Sequence, residues 1–214
     1  MAASPEVILG PGAWNTPELC DRFGSCLSAR GLRTGSIQHP STGTEPRTKF
    51  LRAGVDSLQT TLERLRDSND SGYRDDYKHS ASVAPNGNSL VGASRGHLLP
   101  CIKTEGGYAY NNVGLEGSFH DLPLSEGVKW TTALTHTSFP VFYGSAFHRT
   151  WYVISAAYIW GQEDRMLLLD IQKRVLNLLG TSRTYTLKTS HHPFLIMPQE
   201  VADMVQGLST QVSQ

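Results

Sequence analysis

The chain has 214 residues, with 19 basic and 19 acidic side chains and a formal net charge of zero. That length supports one domain with a substantial core and falls short of two comfortable ones. The charge balance leaves no electrostatic footprint for nucleic acid or an anionic membrane, and no stretch approaches the roughly 20 apolar residues that cross a bilayer.

Val7-Ile8-Leu9 predicts a strand that runs into the glycine turn Gly10-Pro11-Gly12-Ala13-Trp14. Asn15 or Thr16 caps a helix with Pro17 in its first turn; it runs to about Arg30 and Gly31 stops it. Leu32 to Ile37 predicts a second short strand, His39 to Gly43 a loop, and Val55 to Leu65 an amphipathic helix. Asp67 to Asn88 is polar and rich in Ser, Asp, Asn and Gly, so it fails the pattern of a central parallel strand. Only Ser89-Leu90-Val91 resembles a strand end, and Leu98 to Leu115 offers no clear strand. Further on, Leu122 to Ser125 leads into a helix through Leu134, and Ser155 to Trp160 predicts a buried strand. Gln162 to Leu179 includes a helix with Leu168, Leu169, Ile171, Val175, Leu178 and Leu179 on its buried side, ended by Gly180. Tyr185 to Leu187 is the last strand, and a final amphipathic helix opens near Pro198. The expected fold class is therefore α/β: a mostly parallel sheet flanked by helices, irregular in the middle, as a single domain over 1–214 with a cap or lid segment at 118–150.

Cys20, Cys26 and Cys101 have neither zinc-site nor redox-pair spacing and are read as structural thiols. No N-terminal run has the length and apolarity of a signal peptide, and a cytoplasmic location is expected. No metal-ligand spacing accompanies the histidines; His97, His120, His136 and His148 are read as bystanders. The glycine turn is neither a phosphate loop nor a dinucleotide fingerprint, so no cofactor is expected.

Three strings carry chemistry in chain order. Gly92-Ala93-Ser94-Arg95-Gly96 has the Gly-x-Ser-x-Gly form in which glycines let a serine sit on a sharp strand-to-helix turn. Ser94 is the candidate nucleophile, and Ser80 in His79-Ser80-Ala81 is the alternative. Asp164, with Glu163 as its neighbour, follows the best strand and is placed to orient an imidazole. His191 or His192, at the end of the last strand, supplies the base. A backbone N–H at Ala13 or Trp14, with that of Arg95, would serve an oxyanion.

These segments resemble the small cofactor-free α/β-hydrolases, relatives of plant methyl esterases and hydroxynitrile lyases. Val7 to Glu18 is similar to that family's opening strand, oxyanion turn and first helix, and Pro40-Ser41-Thr42-Gly43 to its next loop. Tyr158 to Asp164 resembles the strand bearing the acid, and Ser190 to Leu195 its Gly-His-Ser-Pro-Phe-Leu segment. The resemblance places the catalytic histidine at His191. It implies hydrolysis of a small ester, lactone or thioester, in a specialised metabolic setting, with a small-molecule substrate as partner; the oligomeric state, monomer or homodimer, is left open. Two readings compete with it: a lyase, dehydratase or cyclase that uses His191 and Asp164 without a serine, and a catalytically inactive relative.

Overall fold

The computed structural model describes residues 6–43, 45, 56, 60, 100–143 and 156–212. The expected strand at 89–91 and the glycine-flanked Ser94 lie outside the described residues, as do most of the helix expected at 55–65 and the end of the 118–150 segment. Of that helix, Asp56 and Thr60 are described, and both are helical.

Two β-α-β units frame the chain. In the first, β1 (Glu6–Leu9) and β2 (Arg33–Ser36) pair in parallel around α1 (Asp21–Ser28). Alternation along β1 buries Val7 and Leu9, as expected for a strand with one face on a core. Glu6 and Arg33 are register partners, and their side chains pair at 3.0 Å. A 3-10 turn at Pro17–Cys20 precedes α1. Gly31 ends the helical run with φ of +78°, the left-handed conformation that a glycine adopts without penalty.

The second unit joins β6 (Tyr158–Gly161) and β7 (Thr184–Leu187), again parallel, around α4 (Leu169–Leu179). Two helices close the chain, the short α5 (Pro193–Ile196) and the long α6 (Pro198–Val212). Arg30 fastens the end of α1 to α6. Its guanidinium donates to the Asp203 carboxylate at 2.8 Å and to the Gln199 carbonyl at 3.1 Å.

Between the units lies an antiparallel sheet: β3 (Ile102–Glu105), β4 (Tyr108–Asn111) and β5 (Thr137–Ser138), in the order β3-β4-β5. Helices α2 (Gly114–Ser118) and α3 (Leu124–Ala133) are inserted between β4 and β5. The absence of a strand expected from 98 to 115 is thereby corrected. Gly106 and Gly107, with φ of +59° and +88°, form the two-residue turn of a hairpin.

Two further expectations change. The strand at Tyr158–Gly161 is half-buried through Trp160 rather than fully buried. Leu168, just before α4, and Leu169 and Leu178 on it are exposed; the inward face is Gln172 and Val175, with Ile171 and Leu179 partly buried beside Val175 and Leu167 buried just before the helix. Gln172 explains the discrepancy. Its side-chain amide fills an inward position by donating to the Gly161 and Leu167 carbonyls, each at 2.8 Å, and accepting the Gly161 N–H at 3.2 Å. A buried polar side chain with these partners substitutes for a leucine.

The main core joins the two units. Val7, Leu9, Phe23 and Leu27 from the first meet Leu187, Phe194, Val201 and Val205 from the second, with Phe119 and Leu122 between them. A smaller cluster packs the antiparallel sheet on Trp14 through Ala109, Phe142 and Met166. No helix among the described residues is long and apolar enough to cross a membrane.

Candidate active site

The site forms where the chain leaves the two parallel strands β6 and β7. Their ladder continues past the strand ends: Gln162 N–H donates to the Leu187 carbonyl at 2.9 Å and Glu163 N–H to the Thr189 carbonyl at 3.0 Å. The two loops run so close that a side chain at Gly161 is excluded. A Cβ there would lie 2.7 Å from the Ser190 carbonyl oxygen and 3.1 Å from that of Thr189.

This approach brings Asp164 and His191 together. The Asp164 Oδ2 lies 2.9 Å from His191 Nδ1, and both side chains are 6% exposed. The other oxygen, Oδ1, accepts the backbone N–H groups of Met166 at 2.8 Å and Leu167 at 2.9 Å. The carboxylate is thus fixed before it meets the imidazole. An ionised carboxylate only accepts, so Nδ1 is the nitrogen that carries the hydrogen, and in the neutral imidazole Nε2 holds the lone pair. That is the tautomer a general base needs.

His192, the other histidine considered, is excluded from that role. Its ring stacks on Phe119 at 5.0 Å between centroids and meets the edge of His191 at 4.8 Å. Its Nδ1 is buried without a partner among the described residues. Burial, and then the charge of His191, hold its pKa well below the usual imidazole value. The unfolded chain carries the same group at about 6.5. Below about pH 6.5 the unfolded state therefore takes up a proton that the folded state refuses, and stability falls as pH falls. The slope reaches about 1.4 kcal/mol per pH unit for this one group. Thermal melts from about pH 7 to about pH 5 are expected to show a falling Tm, with a flatter dependence in His192→Phe. Equal slopes in the two proteins would contradict this assignment.

The glycine turn after β1 behaves differently from expectation at one atom. Trp14 has φ of +69°, unusual for a non-glycine residue. Its backbone N–H donates to Thr137 Oγ1 at 2.9 Å, its indole N–H to the Ala109 carbonyl at 2.9 Å, and its carbonyl accepts from Thr135 N–H at 3.0 Å. The Trp14 N–H is therefore committed to β5 and is withdrawn as an oxyanion donor. Ala13 is half-buried beside Trp14, and its carbonyl accepts from Asn15 Nδ2 at 3.0 Å. Ser94, Ser80 and Arg95 lie outside the described residues.

Cys101 and Tyr158 both feel the Asp164 charge. Burial, with Asp164 adding to it, pushes the Cys101 thiol up to about 11 and the Tyr158 hydroxyl up to about 12. The thiol stays protonated near neutrality and is no nucleophile. All three cysteines are free, Cys20 and Cys101 buried and Cys26 half-buried. A groove of about 680 Å³ lies beside β4, α2 and α3, lined by Tyr110, Asn112, Thr131 and His136 among others; neither Asp164 nor His191 lines it. Among the described residues, no cluster of three or more His, Cys, Asp or Glu side chains could hold a metal ion.

Three residues of this region carry contacts that the sequence reading missed. His120, read as a bystander, donates from Nε2 to the Glu163 carbonyl at 2.9 Å. Asp121 and Ser190 bond to each other. These contacts cross 43 and 69 residues of chain, and no local pattern announces them.

Neither a family model nor a curated protein matches the sequence. Solved structures do match by shape. The chain is similar to a methylesterase from Arabidopsis, with a TM-score of 0.69 and 12% identity, covering 97% of this chain and 99% of that one. Tomato methylketone synthase I, as an H243A variant complexed with β-ketoheptanoate, gives a TM-score of 0.72 at 9% identity, covering 99% and 100%. A pyrethroid hydrolase from Sphingobium faniae gives 0.69 at 15%, covering 97% and 98%. The chain has the α/β-hydrolase fold.

Proposed function

We propose that the protein is a serine hydrolase acting on a small carboxylic ester, lactone or thioester. The observation that carries this reading is the buried Asp164–His191 hydrogen bond of 2.9 Å, with the carboxylate locked by two backbone N–H groups. An imidazole held in that tautomer removes a proton at Nε2 and returns it to a leaving group.

In the proposed sequence, Ser94 Oγ attacks the substrate carbonyl as His191 Nε2 takes its proton. The tetrahedral oxyanion is met by the backbone N–H groups of Ala13 and Arg95. His191 then protonates the departing alcohol or thiol, and water repeats the steps in reverse roles to release the acid. Ser80 is the alternative nucleophile. Two of the structures that share the fold are named for ester or pyrethroid hydrolysis, which supports the reaction class. A specialised metabolic substrate and a cytoplasmic setting belong to the same proposal.

The test is labelling of the folded protein with a fluorophosphonate, followed by peptide mapping. One adduct on Ser94 is expected, and an adduct on Ser80 moves the nucleophile without changing the reaction class. A folded protein that acquires no adduct overturns the hydrolase reading. It would favour the second one, in which His191 and Asp164 perform proton transfer for a lyase, dehydratase or cyclase.

A further inference from the structure

The parallel ladder between the two catalytic loops runs out at Thr189, whose carbonyl accepts the last cross-loop bond, from Glu163. The next backbone N–H, that of Ser190, is taken by a different part of the chain. Asp121 Oδ2 accepts it at 2.7 Å, while Asp121 Oδ1 accepts the Ser190 hydroxyl at 2.5 Å. The Ser118 carbonyl lies 3.2 Å from the same hydroxyl as an alternative acceptor. One residue earlier, His120 Nε2–H donates to the Glu163 carbonyl at 2.9 Å.

Ser190 immediately precedes His191, and Glu163 immediately precedes Asp164. The dipeptide His120-Asp121, on the turn between α2 and α3, therefore grips the residue before each member of the buried pair. The Asp121 grip has two legs, one on the backbone and one on the side chain of Ser190, and a carboxylate acceptor makes both strong. Ser190 itself is 1% exposed and Asp121 is half-buried, so the donor side of both bonds is shielded from water.

We infer that His120-Asp121 is the positioning element of the Asp164–His191 pair, with Asp121 setting where the imidazole stands. This rests on the catalytic role proposed for that pair. Neither residue takes part in the chemistry; both act through the loops they hold. Misplacing a catalytic group by about 1 Å costs about a hundredfold in rate, which is the scale of effect available to such an element.

The experiment combines kinetics on a p-nitrophenyl ester with proton NMR of the His191 Nδ1–H, a low-field signal identified by its absence in His191→Ala. In Asp121→Ala, kcat is expected to fall about a hundredfold with KM little changed, and the low-field signal to be lost. In Asp121→Asn most of the loss is recovered, because the amide oxygen still accepts the Ser190 N–H and the hydroxyl turns to Ser118. A merely structural role would lower Tm and leave the NMR signal in place. If Asp121→Ala does not fold, Ser190→Ala replaces it; it removes only the hydroxyl leg, and about a tenfold loss in kcat is expected. An unchanged signal together with unchanged kcat in the folded variant overturns the inference. If the wild-type protein turns over no ester but its low-field signal still depends on Asp121, the positioning stands and the hydrolase reading fails.

Discussion

Replacing Asp164 with Asn is expected to lower kcat about ten-thousandfold while leaving the fold intact. The substituted side chain keeps the shape of the original. Its oxygen still accepts the Met166 and Leu167 N–H groups that now hold Oδ1. Its NH2 group then faces His191 Nδ1, which is 2.9 Å from the carboxylate in the native protein. Two donors do not bond, so the imidazole moves its hydrogen to Nε2 and turns its lone pair toward the amide. In the proposed mechanism the atom that accepts the serine proton then already carries one. Kinetics on a p-nitrophenyl ester, alongside a thermal melt, check this. A folded Asp164→Asn protein that keeps activity within about tenfold of the original would show that the pair does not set the tautomer.

Phe119→Ala is expected to have the largest effect on stability, about 3–5 kcal/mol. The ring is fully buried, sits in the cluster that joins the two β-α-β units and is the platform on which His192 stacks. Relaxation into the cavity is restricted. Gly127 of α3 already lies so close that a Cβ there would be 3.2 Å from the Phe119 carbonyl oxygen, so the helix has little room to close in. A loss of that size is a large share of the 5–15 kcal/mol typical of a domain. Urea denaturation measures it, with Phe119→Leu as a smaller step at the same place. A change under about 1 kcal/mol for the alanine variant would mean that this cluster does not carry the junction of the two halves.

The parts of the site legible in the sequence were those set by local order. A strand, a turn and an acid at Tyr158–Asp164, and a strand ending in histidine at Thr184–His191, declare themselves within a few residues each. Their pairing follows from the β-α-β connection through α4. Local pattern alone did not separate His191 from His192, because neighbours in sequence differ only in which way a loop turns them; the resemblance singled out His191. One faces Asp164 and the other stacks on Phe119.

The hairpin at Ile102–Asn111 carried a usable signal in Gly106-Gly107, a two-residue turn, but its strands are short and mixed in polarity. The buried face of α4 was read in part: Val175 is buried with Ile171 and Leu179 packed on its cluster, but an inward Gln172 breaks the apolar stripe, and Leu168, Leu169 and Leu178 are exposed. Nor does the sequence disclose that the Trp14 N–H is spent on Thr137, a contact spanning 123 residues. The His120-Asp121 grip is of the same kind. Contacts of this kind bond across the fold, so their spacing in the chain carries no period and no motif.

The proposed activity depends on a serine made reactive by His191. The most direct measurement is the time course of fluorophosphonate labelling, wild type against His191→Ala, read by intact mass. A single rapid adduct is expected in the wild type, and labelling slowed by orders of magnitude, about 10³-fold or more, in the variant. Equal labelling rates in the two proteins, or no adduct in either, would contradict it.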